Sequence, residues 1–488
     1  MKYMTTKNLP FIHLLKTPMN NYAFDVNTNA FIELSDETYA YLSEMLDSNN
    51  PDLPAVESVK DSIKRLKSLG YLSDKRPNKI EHWATSLMEY SLNENIKQMT
   101  LQITQECNFR CAYCSFGSDD FTAQREHTAK RMSLETALKA VDFLLAHSKD
   151  QNVVSIGFYG GEPLLEFDMI KTIIEYAEKV LFGKDLLFTV TTNASLLTVD
   201  MAKYFYEHNC YVVISLDGTP EIHNRSRKFT ASGGGTFGTI KNNLNVIKEE
   251  FPAWFSKMSF NVVIDPSFPC NDLYVLFSED ETFTSSVSNA TIFDDFFSVE
   301  KVVYSDEFTN EHSYHSFKAY LALLGKYPKE KVSKITWNYS ANRYHWYEKN
   351  FMLSKLPDTT APGGPCIPGE KRLFVSVDGL FYPCERVSET SDAMIIGNLQ
   401  DGFYLEKAID ALNIGSLTEA DCKNCWAINH CTICVKHCDN NGELCAELKR
   451  SQCGGIRQLA EDKFREYLLL KDYGIQIDTL KKEGILAR

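Results

Sequence analysis

The chain has 488 residues, of which 44% are hydrophobic and 24% charged, and its formal net charge is −14. It is too long for one compact core, so we expect roughly two to four domains, and the negative charge argues against a general nucleic-acid binder. No apolar run approaches the length of a membrane span, and His13 interrupts the apolar start of the chain. We therefore expect a cytoplasmic protein without a membrane partner.

The first 90 residues read as a separate module. Strands are expected at 11–16, 22–26 and 30–34, followed by a helix that Ser35 caps and a second helix that ends at Gly70. This order resembles the winged-helix domains with which many peptide-modifying enzymes take up an extended leader peptide as an added strand. A domain that only packs against the rest of the chain is the alternative.

From residue 97 the pattern changes to alternating strands and helices, which predicts parallel strands. We expect an α/β fold, with a partial (β/α)6 barrel over 97–310 whose chemistry lies at the carboxyl ends of its strands. Residues 265–360 carry no motif and are read as the last barrel elements, with 311–360 as a bridging region that faces the substrate. The expected strands are 99–104, 153–158, 187–191, 211–215 and 260–264, and the expected helices are 133–146, 169–180 and 239–250.

The 14 cysteines are concentrated in two fields, with three between 107 and 114 and nine between 366 and 453. In a reducing compartment such clusters indicate metal binding rather than disulfides. The two isolated cysteines, Cys210 and Cys270, are read as small buried hydrophobic residues.

The first field, Cys107, Cys111 and Cys114, directly follows the strand at 99–104. Thiolates are the ligands of iron–sulfur clusters, and three of them on a cubane leave one iron open to a small molecule. A zinc site is the alternative, but zinc usually takes a fourth Cys or His, and none lies within this loop. The C-x3-C-x2-C spacing, with Tyr113 before the third cysteine, resembles the signature of radical S-adenosylmethionine (SAM) enzymes, whose open iron binds the amino and carboxylate groups of SAM.

Two further predicted strand ends carry residues that match this family. The resemblance implies that Gly160, Gly161 and Glu162, in a Gly-Gly-Glu-Pro turn, contact the SAM amine, because glycines let the backbone approach a ligand closely. It also implies that Asn193 lies near SAM, and the glycine that usually follows is Ala194 here.

The end of the fourth strand and the residues after it complete the implied SAM site. The resemblance implies that Ser215 bonds the ribose or carboxylate of SAM and that Arg227 pairs with its carboxylate. Arg227 closes a His-Asn-x-x-Arg run in which Asn224 replaces the Asp of the family. Asp217 is either another contact of SAM or the cap of a turn or helix.

The second cysteine field begins with a predicted hairpin, 374–382, that presents Cys384. Its spacing resembles the SPASM domain, a cysteine-rich C-terminal extension of radical SAM enzymes that holds two auxiliary [4Fe–4S] clusters, here over 361–460 and before a helix at 461–488. The resemblance implies two groups of ligands, called below the first set (Cys366, Cys384, Cys434) and the second set (Cys422, Cys425, Cys431, Cys453).

Two points in this field depart from the pattern or leave a choice. Cys434 follows the previous cysteine after two residues, where the family has three. The first set therefore has three members, and either Cys438 completes it or one iron is open and binds a substrate thiol. A zinc-ribbon pair is the alternative for the C-x2-C at Cys422, and Cys445 is read as a structural thiol.

Together the resemblances cover about residues 97–460 and imply SAM and three [4Fe–4S] clusters as cofactors. They imply cleavage of SAM to methionine and a 5′-deoxyadenosyl radical, which the protein must hold beside one substrate C–H group. The runs 11–18 and 425–427 also resemble maturases of cysteine-rich ribosomal peptides. The implied partners are a precursor peptide with a leader sequence and a reductant such as flavodoxin or ferredoxin.

The leading hypothesis is a maturase that forms thioether bonds at cysteines of a precursor peptide. Three alternatives stay open: carbon–carbon cross-linking of aromatic side chains, conversion of one Cys or Ser to formylglycine as in sulfatase-maturing enzymes, and a non-enzymatic iron–sulfur redox protein. The sequence identifies no general base, since no Asp or Glu in 265–360 stands out.

Overall fold

In the computed structural model, one long mixed sheet runs through the middle and the C-terminal part of the chain. The structure describes residues 8–475 except 115–126, 285–286, 294–295, 297–300, 341–342 and 344–354. Within these residues the sheet has ten strands, which in spatial order are Val287–Ile292, Ser259–Ile264, Cys210–Ser215, Asp185–Thr192, Val153–Gly160, Gln98–Thr104, Leu373–Val375, Leu380–Tyr382, Gly397–Asn398 and Gly402–Phe403.

The first six strands of this order pair in parallel and form the partial barrel. The five strands expected from the alternating pattern are confirmed, and the sixth, Val287–Ile292, lies in the stretch without a motif. The helices between the strands cover one face of the sheet because their apolar residues share a buried core with alternate strand residues such as Leu101 and Ile103. These helices are Leu134–His147, Phe167–Val180, Val199–Glu207, Pro220–Ser226, Phe237–Glu250, Pro252–Phe255, Asn271–Glu279 and Glu281–Thr284.

The C-terminal part of the chain extends the same sheet. Leu373–Val375 pairs in parallel with Gln98–Thr104, the first barrel strand, and turns back through the predicted hairpin to Leu380–Tyr382. The strands of the cysteine-rich part therefore continue the sheet of the barrel. Its other elements are a short ribbon, Asp439–Asn440 with Glu443–Leu444, and the helices Leu405–Leu412, Glu419–Lys423 and Ala446–Asp472.

Two helices differ from the sequence prediction. The C-terminal helix begins at Ala446 rather than 461, because the last cysteine of the pattern, Cys453, is itself helical; its predicted end, 476–488, lies outside the described residues. The predicted bridging region is helical over Asp306–Leu323, which the sequence does not reveal because the apolar residues of this helix do not form one stripe, and residues 334–340 are also helical. Tyr320 in this helix donates a hydrogen bond of 2.6 Å to Glu466 Oε1 on the C-terminal helix.

The N-terminal module has the three predicted strands, and they form an antiparallel sheet. The Ser35 cap is confirmed by a 3.2 Å bond from the Thr38 N–H to Ser35 Oγ. One face of the sheet packs on the module's own helices, whereas the other shares a core with Phe464 and Leu468 of the C-terminal helix. The elements are Ile12–Lys16, Asn21–Asp25, Ala30–Leu34, Asp36–Asp47 and Glu57–Ser68, followed by Lys79–Ile80, which pairs with Thr359–Thr360, and the helix Met88–Glu94.

The module also contacts the second cysteine field directly. The His13 ring stacks on the Trp426 indole with centroids 3.7 Å apart and planes 5° apart, and Trp426 follows Cys425 in the chain. Cys422 belongs to the same buried core as the module's inner strands. The N-terminal sheet and the second set of cysteines therefore share one packing interface. Among the described residues, no helix combines the length and apolar character needed to cross a bilayer.

Candidate active site

The first cysteine loop leaves the carboxyl end of the first barrel strand and lies against the glycine turn that ends the second. The Gly161 N–H donates to the Thr104 carbonyl at 2.8 Å, and the Glu162 N–H donates to the Glu106 carbonyl at 2.9 Å. A Cβ on Gly160 would lie 2.1 Å from Thr104 O, and one on Gly161 would lie 2.1 Å from Glu106 O. The close backbone approach that these glycines allow is therefore made to the cysteine loop itself.

A short antiparallel ribbon holds the other side of the cysteine loop. Residues Phe109–Cys111 pair with Arg227–Phe229, and the register places Arg227 opposite Cys111. The Ala112 N–H donates to the Ser226 carbonyl at 2.9 Å, which continues the ribbon. The sequence does not reveal this pairing, because strands of three residues show no periodicity. The ribbon brings the end of the His-Asn-x-x-Arg run to the thiols.

The three thiols of the loop are partly buried and lie within electrostatic reach of one another. Burial raises the pKa of Cys107 and of Cys111 to about 12, although the Arg227 charge acts in the opposite direction at Cys111. These thiols therefore become thiolates when a metal displaces their protons. In the described part of the chain, no three Cys, His, Asp or Glu side chains converge on one metal ion. In a cubane each cysteine binds a different iron, so the three sulfurs can lie further apart than the ligands of a single metal ion. The three residues therefore fit a [4Fe–4S] cluster.

A buried ion pair lies next to the cysteine loop. Arg227 Nε and Nη2 bind the two carboxylate oxygens of Asp217 at 2.7 and 3.2 Å, and both residues are less than 9% exposed. The Tyr113 hydroxyl donates to the same carboxylate, and its ring centroid lies 5.4 Å from the Arg227 guanidinium carbon. Arg227 Nη1 lies 4.0 Å from Cys111 Sγ. Asp217 is thus the ion-pair partner of Arg227 and also accepts the Val263 N–H at 3.1 Å, and its predicted contact with SAM stays a prediction.

This ion pair leaves the predicted role of Arg227 possible in hydrogen-bonding terms. A guanidinium has five N–H donors, and Asp217 uses two of them. One N–H of Nη1 faces Cys111 Sγ, and the two remaining donors are available to a carboxylate such as that of SAM. Ser215, at the end of the neighbouring strand, has no hydrogen-bond partner for its hydroxyl among the residues that the structure describes. The predicted contacts of Ser215 and Arg227 with SAM stay predictions.

His223 and Asn224 form hydrogen bonds that hold the backbone next to the ion pair. Burial, and then the Arg227 charge, lower the pKa of His223 to about 4, so its ring is neutral. Its Nδ1 accepts the Asp217 N–H at 3.2 Å, and its Nε2 bonds Thr236 Oγ1 at 2.8 Å. Asn224 Oδ1 accepts the N–H of Thr236 at 2.7 Å at the start of the helix Phe237–Glu250. Only the carbonyl oxygen is used, so Asn can replace the Asp of the family here.

Glu162 connects the ends of the second and third barrel strands by hydrogen bonds. Its buried carboxylate accepts hydrogen bonds from the Leu164 N–H at 3.0 Å, Thr192 Oγ1 at 2.6 Å and the Asn193 N–H at 2.7 Å. Burial raises the pKa of Glu162, and these three donors lower it. The Asn193 side chain donates to Asn108 Oδ1 at 2.8 Å and so ties the third strand to the cysteine loop. Both side chains are engaged with protein groups, and their predicted contact with SAM is untested.

Ala194 occupies the position where the family has glycine, and its backbone explains that preference. Its φ is +59°, in the left-handed region that favours glycine, and the residue is fully buried. Its carbonyl accepts a bond of 3.0 Å from Asn243 Nδ2, which helps to hold this conformation.

The second cysteine field gathers into two groups in space that match the two sets. Burial and then Glu385 raise the pKa of the Cys384 thiol, and Cys366 and Cys434 lie near enough to raise it further, whereas the pKa of Cys425 is raised by burial and, more weakly, by Cys422 and Cys453. Cys431 also lies near Cys422 and Cys425. The first set includes the exposed Cys366, while Cys422 of the second set is buried. That these groups bind clusters stays a prediction.

Cys438 lies between the two sets. It is fully buried, its thiol neighbours are Cys434, Cys431 and Cys453, and its Sγ lies 3.7 Å from the Cys434 carbonyl. Cys438 as a fourth ligand of the first set and an open iron in that set both stay predictions.

Two residues that the sequence does not single out reach these sites. Glu389, five residues after Cys384, receives both hydrogen bonds of the Gln102 amide, at 2.9 and 2.8 Å. Gln102 is fully buried and lies on the face of the first barrel strand opposite Leu101 and Ile103. Lys449 is 1% exposed and lies 3.2 Å from Cys422 Sγ. A charged residue in a helix normally indicates a solvated face, so no sequence signal marks Lys449.

Residues 101–267 match the radical SAM superfamily. A cysteine-type anaerobic sulfatase-maturating enzyme of Clostridium novyi is 23% identical over 371 residues, covering 72% of this chain and 89% of that enzyme. The radical SAM cyclopropyl synthase TigE of Paramaledivibacter caminithermalis is 25% identical over 208 residues, covering 39% and 42%. An uncharacterized protein of Methanocaldococcus jannaschii is 31% identical over 148 residues, covering 30% and 48%. The chain thus spans less than half the length of the last two relatives.

A solved structure, described as native anSMEcpe with bound AdoMet and Cp18Cys peptide, has the same fold over most of its length. The TM-score is 0.54 at 20% sequence identity, and the match covers 75% of this chain and 99% of that one. This alignment is longer than the superfamily match, so the likeness in fold extends beyond residues 101–267.

Proposed function

From the radical SAM domain that this chain carries, we propose that it is an oxidoreductase that cleaves SAM and oxidises a peptide substrate. The observation that carries the proposal is the three-thiol loop fixed at the carboxyl end of the first barrel strand, with Arg227 opposite Cys111. When bound, a cluster at this loop supplies the electron that cleaves SAM to methionine and a 5′-deoxyadenosyl radical, and clusters at the two C-terminal sets supply an acceptor for the electron that the substrate loses.

The residues around the loop hold SAM in place by charge and by rigid geometry. Asp217 orients the Arg227 guanidinium from one side, so its remaining donors are ready for the SAM carboxylate without further ordering. The Ser215 hydroxyl, at a strand end, is the second donor that we assign to SAM. The glycine turn fixes the cysteine loop against the barrel, so the thiols and these donors keep a constant spacing.

We propose Glu389 as the group that accepts the proton from the oxidised substrate. The Gln102 amide holds its carboxylate on the inner side of the first barrel strand, and it follows Cys384 of the first set in the chain. The Gln102–Glu389 contact thus links the first barrel strand to the segment that follows Cys384, and Cys366 of the same set is exposed to an incoming substrate thiol.

The first of two equally supported candidate products is a thioether bond in a cysteine-containing peptide. Hydrogen-atom transfer from the acceptor carbon to the 5′-deoxyadenosyl radical gives 5′-deoxyadenosine; the substrate thiol then loses its proton and the new C–S bond forms as one further electron leaves. An exposed Cys366 supports access of a substrate thiol to the first set. In the described residues the outer edge of Ala30–Leu34 pairs with no other strand, which supports binding of a leader peptide there.

Formylglycine formation is the second candidate and has equal support. The observation that favours it is the alignment with a cysteine-type anaerobic sulfatase-maturating enzyme over 72% of this chain and 89% of that enzyme. In that reaction the Cys carbon loses hydrogen and sulfur and gains the oxygen of water. Carbon–carbon cross-linking uses the same cofactors and differs only in the bond formed.

One experiment separates these outcomes. The reconstituted protein is incubated anaerobically with SAM and dithionite, and with either a cysteine-rich candidate precursor peptide or a cysteine-type sulfatase peptide. Loss of two hydrogens with one thiol no longer alkylated indicates a thioether, and the same loss with all thiols alkylated indicates a carbon–carbon bond. Loss of sulfur with a new aldehyde indicates formylglycine. Absence of 5′-deoxyadenosine would refute the enzyme and favour a redox protein, and C107A/C111A/C114A is the negative control.

The role of the N-terminal module needs point substitutions rather than its removal. Its inner strands share a core with Phe464 and Leu468, so deletion of residues 1–90 would expose that core and would reduce activity for any substrate. The exposed Glu33 on the free edge strand is a better probe. Glu33→Pro introduces a residue that disrupts an added strand, and slower modification of the full peptide with an unchanged rate on a short core peptide would support leader binding.

A further inference from the structure

Lys449 is a buried cation in the second cysteine field without a carboxylate partner. It lies near the start of the C-terminal helix and is 1% exposed. Among the described residues, no Asp or Glu oxygen lies within salt-bridge distance of its ammonium. An unpaired buried charge is costly, so such a group needs another source of negative charge nearby.

The groups around Lys449 show where that negative charge is expected. Its Nζ lies 3.2 Å from Cys422 Sγ and also donates to Thr418 Oγ1. Because an ammonium only donates, Thr418 Oγ1 accepts that bond, and its own proton is free to point to Cys422 Sγ, 3.4 Å away. One sulfur of the second set therefore receives two donors, one of them charged.

Among the described residues, the first set has no buried lysine or arginine at hydrogen-bond distance from a sulfur; Cys434 Sγ lies 3.6 Å from His437 Nδ1, which also accepts the Cys434 N–H. The positive charges that act on Cys434 belong to Lys436 and Arg386, and the Arg386 side chain is 69% exposed. Solvent screens such charges, whereas a buried cation acts at full strength on its neighbour. The two sets thus differ in electrostatic environment although both consist of cysteines.

We infer that Lys449 is a positioning and tuning residue that raises the reduction potential of a cluster held by the second set. Hydrogen bonds to ligand sulfurs and a nearby positive charge both favour the reduced, more negative cluster. The consequence is a direction for the electron that leaves the substrate, from the first set, which contains the exposed Cys366, toward the second set, which contains the buried Cys422. The inference rests on the proposed function only in requiring that these sets hold clusters.

The test uses the full chain in a C107A/C111A/C114A background, in which only auxiliary clusters are present. Lys449→Met removes the charge near Cys422. Lys423→Met is the matched control, because Lys423 is the next residue after Cys422 in the chain but forms a salt bridge with Glu419. Iron content and a redox titration followed by electron paramagnetic resonance are measured. We expect K449M to lower the ratio of reduced to oxidised second cluster at least tenfold at a fixed potential, which is about 59 mV for one electron. K423M should leave this ratio unchanged. Lys449→Arg keeps the positive charge and should therefore keep the ratio close to that of the unsubstituted Lys449.

An unchanged midpoint in K449M with full iron content would overturn the inference. If K449M fails to hold the second cluster, Lys449→Gln decides, since it keeps an N–H donor and removes the positive charge: a lower midpoint supports the inference, and an unchanged one overturns it. If the background itself holds no auxiliary cluster, the cluster assignment in the proposed function fails as well. The two failures are therefore distinguishable.

Discussion

Gly161→Ala tests the contact that fixes the cysteine loop on the barrel. The added Cβ would lie 2.1 Å from the Glu106 carbonyl oxygen, 2.5 Å from its carbonyl carbon and 3.0 Å from the Cys107 nitrogen. All three are backbone atoms, so no flexible side chain can move aside. Gly161 does not have a positive φ, so the effect of the substitution is steric and not conformational.

The size of the effect follows from these distances. Ordinary carbon–oxygen contact needs more than about 3 Å, so the loop that carries Cys107 must shift by about 1 Å. Overpacking of this kind costs about 1–3 kcal/mol of stability, and a displacement of 1 Å in a reacting group costs about 10²-fold in rate. We expect G161A to fold and to form 5′-deoxyadenosine about 100-fold more slowly, with fewer than the normal number of irons.

The assay compares iron content, dithionite-dependent formation of 5′-deoxyadenosine and the melting temperature of G161A with those of Gly238→Ala. Gly238 lies in a helix, and a Cβ there would meet no atom within 4 Å, so G238A should behave like the unsubstituted protein. Normal iron content and a normal rate in G161A would refute the role that we give to the glycine turn.

Three further outcomes are expected. Asp217→Asn leaves a buried Arg227 without its counter-charge and should lower stability by about 3–5 kcal/mol, seen as an earlier urea midpoint; an unchanged midpoint would contradict the ion-pair assignment. The pKa of His223 is about 4 in the folded protein against 6.5 in the unfolded chain. Its contribution of about 3 kcal/mol to stability is therefore present above pH 6.5 and is lost as the pH falls toward 4. His223→Gln should make the urea midpoint less dependent on pH over that range, and the same pH dependence in both proteins would argue against this role. Glu389→Gln should keep SAM cleavage but slow peptide modification about 10²-fold, whereas equal losses in both would exclude a proton acceptor.

Regular periodicity explains what the sequence could reveal of this molecule. The barrel strands and the strands of the N-terminal module alternate or are continuously apolar, and they appear where expected. Short motifs likewise located Arg227 and the glycine turn, because residues that need a special backbone or a charge are recognisable by type. The groups that these residues contact could not be predicted, since a motif identifies a residue but not its contact partner.

The unpredicted features depend on tertiary contacts. The ribbon of Arg227–Phe229 is too short to show a period, and Asp217 has no sequence feature that distinguishes an ion-pair partner from a turn residue. Glu389 reaches Gln102 across 287 positions of chain. Lys449 was hidden because a lysine in a helix is ordinarily solvated. Each of these residues becomes visible only when the cysteine-rich part joins the barrel sheet.

The stack of His13 on Trp426 and the core around Phe464 have a consequence for redesign. The N-terminal module that we propose to bind a leader peptide is attractive for exchange, since under that proposal a new module would direct the protein to a new substrate. Here a chimera cut near residue 90 would bring together two halves of one apolar interface that were never selected for each other. The transplantable unit is the N-terminal sheet together with the helix Ala446–Asp472, and because that helix carries Lys449 and Cys453, a change of substrate range would also replace part of the surroundings of the second set.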